Sequence, residues 1–89
     1  MQIIYSYIEP WVIDQNVYLM NDGIEPVMLE KVPLLNLPDY IALTYAQKNC
    51  DKVILHGSTY GYTTQVADEI RTYGLNNYGL TNINIEVVR

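Results

Sequence analysis

The sequence predicts an α/β fold built on one five-stranded mixed sheet. Three observations predict it. The first part of the chain is a series of β-rich runs, two of them separated by Asn21-Asp22-Gly23, and Asp-Gly between such runs is a strong hairpin cue. Lys52 to His56 is apolar at Val53, Ile54 and Leu55 without alternation, the pattern of a parallel strand buried on both faces. Two stretches with helical spacing flank that strand.

Gln2 to Ile8 is the first strand, with Ile3, Tyr5 and Tyr7 on one face and Ile4, Ser6 and Ile8 on the other. Apolar residues on both faces predict a central strand covered, at least in part, on both sides. The chain has nine Tyr and no Phe, so Tyr5 or Tyr7 is expected to serve as a core aromatic. Glu9-Pro10 bends the chain, Trp11 to Ile13 continues the strand past a bulge, and Asp14-Gln15-Asn16 reads as a turn. Val17 to Met20 is the second strand and Ile24 to Val32 the third. Pro26 has no N–H to donate, which places the third strand at a sheet edge.

Pro33 closes this antiparallel meander. Asn36-Leu37-Pro38-Asp39 opens a helix that runs to about Asn49. Proline and an acid in the first turn suit a helix start. Leu37, Ile41 and Tyr45 then mark its apolar face. After the strand Lys52 to His56, a second helix runs from Thr63 to about Tyr73, burying Val66, Ala67, Ile70 and Tyr73. Gly74 or Gly79 ends it. Ile83, Ile85 and Val87 alternate with Asn84 and Glu86, giving a half-exposed strand, Ile83 to Val88, at the other edge. Only Asn84 and Glu86 discourage edge pairing there, so it is a candidate contact site.

The order β-β-β-α-β-α-β resembles the ribonuclease H-like fold in reduced form. The resemblance spans nearly the whole chain, as an order of elements and not as motifs. It implies a 3-2-1-4-5 strand order, with the last two strands parallel to the first. Residues 1–89 are read as a single small domain. Enzymes of that fold hold metal ions with carboxylates on the first strand, the end of the fourth and a helix. Here the first strand carries Tyr5-Ser6-Tyr7, and the fourth ends in His56-Gly57. Glu9, Asp39 and Asp68 read as solvated surface carboxylates. The chain therefore reads as non-enzymatic, with no catalytic residue, metal or cofactor assigned, and a reduced nuclease-like enzyme is the least favoured reading.

The loop His56-Gly57-Ser58-Thr59-Tyr60-Gly61-Tyr62-Thr63-Thr64 is similar to the phosphate loop of flavodoxins at Gly57, Ser58, Gly61 and Thr63. Tyr60 and Tyr62 replace a Thr and an Asn of that pattern. The family loop follows the first strand of its sheet, and here only one strand remains after it. The loops that sandwich a flavin thus have no counterpart, and FMN is not expected. What remains is a simpler anion site, with His56, Gly57, Ser58, Thr59, Gly61 and Thr63 as candidate ligands for a phosphate or nucleotide. The competing explanation is that Ser58, Thr59 and Thr63 cap the helix and the glycines make the turn. Tyr60 and Tyr62 are the candidate partner contacts, because Tyr offers apolar area with a polar tip.

Composition bounds the rest. The chain is 49% hydrophobic and 17% charged, with net charge −5 and five scattered Lys and Arg. It can bury a core but offers no basic face for a nucleic-acid backbone. Cys50 is the only cysteine, which precludes an internal disulfide and is read as a small buried residue. The first residues lack the basic segment of a signal peptide, and no apolar run nears the ~20 residues of a membrane span. The expected protein is thus small, acidic and cytoplasmic, acting on a protein partner or on itself, with a twofold homodimer as the natural form of self-association. Its size and composition suit an accessory protein of a phage or mobile element.

Overall fold

The computed structural model describes residues 1–21 and 25–89. Its elements are β1 (Gln2–Tyr7), β2 (Asp14–Asn21), β3 (Val27–Pro33), one 3-10 turn (Leu34–Asn36), α1 (Leu37–Gln47), β4 (Lys52–His56), α2 (Tyr60–Tyr78) and β5 (Ile85–Val88). The five strands form one sheet in the order β3-β2-β1-β4-β5. β2 is antiparallel to β1 and β3, while β4 is parallel to β1 and β5. The α/β class and the strand order are those the sequence predicts. The Asp22-Gly23 hairpin lies outside the described residues.

Alternation along β1 separates two environments. Ile4, Ser6 and Ile8 are fully buried, and with Val17, Val53 and Leu55 they form the sheet side of the core. Leu37, Ile41 and Ala42 of α1 and Val66, Ala67 and Ile70 of α2 form the other side. Ser6 tolerates this burial because its hydroxyl donates to Asn16 O at 2.9 Å. Both helices lie on this one face. The connections β3-α1-β4 and β4-α2-β5 step across the sheet in the same direction. Crossovers of the same hand that travel the same way place their helices on the same side.

That layering corrects the expectation that β1 is covered on both sides. It also corrects the expectation of a core tyrosine on β1: Tyr5 is half-buried and Tyr7 is 39% exposed, both away from the helices. The aromatics that pack against the core are Tyr40, Tyr45, Tyr62 and Tyr78.

Several element ends also differ from expectation, among them that of β5, which begins at Ile85 and not at Ile83. Asp14-Gln15-Asn16 is not a turn but the start of β2, and the chain reverses earlier, over residues 9–13. Gln15 is the reason. Its buried amide donates to Glu9 O at 3.0 Å and Val12 O at 2.9 Å, and accepts from Glu9 N–H at 3.1 Å. β3 begins at Val27, so Pro26 precedes the ladder instead of sitting in it, although the strand is at the edge as expected. α2 is longer at both ends than the sequence suggests. It passes through Gly74, which is buried where a Cβ would strike Ile83 Cδ1, and stops at Gly79, whose φ of 67° is left-handed. Tyr73, expected to be buried, is 39% exposed. α1 ends just before Asn49, also left-handed at φ 51°, a conformation Asn tolerates at a helix end.

Candidate functional site

The predicted anion loop does not assemble as one site. β4 delivers His56, but the imidazole turns to the helix-free face. There its Nδ1 lies 3.1 Å from the Tyr5 hydroxyl, and its ring meets Tyr7 edge-on at 5.0 Å between centroids. Gly57 is buried by the crossing of β1 and α2. A Cβ there would lie 2.6 Å from Thr63 Oγ1 and 2.8 Å from Ile8 O, so the glycine serves close approach of the backbone. Its N–H donates to Val88 O at 3.1 Å. Thr63 is fully buried, and its hydroxyl donates to Thr59 O at 3.0 Å. Those two residues are absorbed into the fold.

Ser58, Thr59 and Gly61 remain exposed at the start of α2. Thr59 occupies the N-cap position, but no side chain makes a capping hydrogen bond there. The capping explanation therefore fails for Ser58 and Thr59, while Thr63 bonds within the first turn. Tyr60 is 45% exposed, with the Arg89 guanidinium 4.5 Å above its ring centre, a cation–π arrangement. Tyr62 instead packs against the core, and burial pushes its phenol up. The two tyrosines thus do not form one contact corner. The other expected contact, Ile83 to Val88, is at the sheet edge, with Ile83 itself buried.

The expected surface carboxylates lie apart. Asp39 accepts the Tyr78 hydroxyl at 2.7 Å, tying α1 to α2, and this bond raises the Tyr78 phenol. Asp68 pairs with Arg71 at 3.4 Å, and Glu9 sits in the turn held by Gln15. Among the described residues, no three of His, Cys, Asp and Glu group closely enough to hold a metal ion. Cys50 is buried beside Thr44 O, and burial raises its thiol.

A domain of so few layers is expected to leave one sheet face or edge for a partner, but the sequence does not name the residues of that face, which is the helix-free side of the sheet. Residues opposed in register share a face, and here they form three transverse rows. Met28, Tyr18, Tyr5, Ile54 and Glu86 cross all five strands. Met20, Ile3 and Lys52 flank this row on one side, and Tyr7, His56 and Val88 on the other. The Tyr5 and Tyr18 rings are 6.3 Å apart and tilted. Burial among these neighbours raises the Tyr5 phenol. Lys52 and Glu86 pair at 2.6 Å, and the β2–β3 register adds Asp14 and Lys31 to the same face. Its charges thus balance on a chain of net charge −5. At its margin, Tyr7, Glu9, Asp14, Tyr18 and Lys31 line a cleft of about 290 Å³. The sequence signal was present in the alternation of Ile3, Tyr5 and Tyr7, and was read as core.

The chain matches no protein-family model, no curated protein and no solved structure. Among the described residues, no helix is long and apolar enough to cross a membrane.

Proposed function

We propose that this is a small, acidic, non-enzymatic binding protein that works by contact with a protein partner or with itself. One observation carries the reading: a five-stranded sheet with both helices on one face. The other face offers Ile3, Tyr5, Tyr7, Tyr18 and Ile54 to whatever covers it. Contiguous apolar surface rimmed by polar groups marks interaction sites on soluble domains, and Tyr is enriched at such sites. The rows lack the basic excess that a phosphate backbone requires. A free, buried thiol at Cys50 fits a reducing, cytoplasmic setting.

The test compares the native protein with Tyr7→Ser/Tyr18→Ser and with Leu75→Ser, a change at an exposed position of α2. A partner retained from a source lysate by the native protein and Leu75→Ser, but lost by the double variant, supports the reading. Equal retention by all three contradicts it.

A second reading, a phosphate- or nucleotide-type ligand at the start of α2, is supported by the absence of side-chain capping at Thr59 and by Arg89 over Tyr60. Unsatisfied N–H groups and a nearby guanidinium suit an anion. Thermal melts with added phosphate or nucleotide decide it. This reading expects a ligand-dependent rise that Ser58→Ala and Arg89→Gln diminish, and the absence of any rise contradicts it.

A further inference from the structure

We infer that the occupant of the helix-free face is a second copy of this chain, docked face to face about a twofold axis that runs along β1. The inference rests on the reading above that this face is the working surface. Three properties of the face select this occupant.

The first is symmetry. β1 is the middle strand of the order β3-β2-β1-β4-β5. A twofold axis along it lays β3 over the partner copy's β5 and β2 over its β4. Tyr5 and Tyr7 then face their own counterparts at the centre. Sheets packed in this way lie about 10 Å apart with strands within about 30° of one another.

The second is charge. The face carries Lys52 and Glu86, already paired, and one further residue of each sign, Lys31 and Asp14, so two such faces meet without net repulsion despite the chain's net charge of −5. A single-stranded nucleic acid would stack on the same tyrosines, but it needs a positive groove that this face lacks.

The third is area. Five strands at about 4.8 Å spacing and about six residues at 3.3 Å each give a face of roughly 24 by 20 Å, about 480 Å². This fits within the molecule's 31 × 30 × 20 Å extents. Two faces therefore remove about 1,000 Å² from water before side-chain relief is counted, near the lower bound for a specific interface. The pair is accordingly a reversible dimer of moderate affinity, not an obligate one.

The experiment is sedimentation equilibrium across a concentration series for the native protein and Tyr18→Asp, with circular dichroism to verify folding. Beside it, Tyr7→Cys and Leu75→Cys, each in a Cys50→Ala background, are treated with a short bifunctional maleimide. The crosslinking does not depend on Tyr18→Asp folding. The inference expects a concentration-dependent dimer, weakened about tenfold or more by Tyr18→Asp, and crosslinking at position 7 but not at 75. A dimer that is unaffected by Tyr18→Asp, or crosslinks only at 75, overturns both this inference and the reading on which it rests. A monomer at every concentration overturns self-pairing alone and leaves the lysate comparison to judge the face. A monomer that binds a single-stranded oligonucleotide through these tyrosines also overturns it, in favour of nucleic acid.

Discussion

Gly57 and Gly61 are four residues apart and do opposite work. Gly57 lies where the end of β4, the end of β1 and the first turn of α2 converge, and a methyl group there meets a buried backbone carbonyl and a buried hydroxyl. Gly61 faces open space inside a helix. Gly57→Ala should cost about 1–3 kcal/mol through overpacking, while Gly61→Ala should add up to about 1 kcal/mol through helix propensity. Urea unfolding of the two variants checks the pair. Gln15 supports a second prediction. Its amide satisfies three backbone groups of the turn before β2, so Gln15→Met should cost about 1–3 kcal/mol, read in the same assay. Neither role was legible in the sequence. Gly57 read as a ligand loop because a glycine needed for packing and one needed for anion approach look alike. Gln15 read as a turn residue because its partners are set by folding, not by its neighbours.

At the scale of elements, β4 was legible to the residue, because an uninterrupted apolar run bounded by Asp51 and Gly57 fits a buried strand. Helix ends were less legible. α2 starts at Tyr60, within a Gly/Ser/Thr segment whose local preference is for a loop; packing of Thr63 and Val66 under the sheet overrides it. The two helices are tied where the Tyr78 hydroxyl meets Asp39, a contact between positions 39 apart in sequence that no local pattern announces. This contact raises the Tyr78 phenol above the ordinary value of 10.0, and burial is the main cause that raises Tyr5, Tyr40 and Tyr62. A folded-state value above the unfolded one favours the folded form while the phenol stays protonated. That stabilisation is complete below pH 10 and is lost as pH rises through the folded-state values. Melting temperature should therefore fall above about pH 10, and phenolate absorbance of the native protein should lag behind that of the unfolded chain. Coincident titration curves would contradict the assignment.

For the whole molecule, the strand order already implied the one-sided architecture, since two crossovers running the same way leave one sheet face bare. The alternation of Ile3, Tyr5 and Tyr7 pointed the other way, because a half-exposed row for binding and a covered row for packing use the same residue types. Tertiary layering decides between them, and it leaves three rows of tyrosine, aliphatic side chains and His56 facing outwards. The central claim is that this face does the protein's work by pairing with another copy. The most direct measurement is a dilution series followed by backbone amide NMR, which reports every strand and helix at once. The account predicts concentration-dependent shifts at Ile3, Tyr5, Tyr7, Tyr18, Ile54 and His56, with α1 and α2 unchanged. Shifts confined to the helices, or spectra that do not change with concentration, would contradict it.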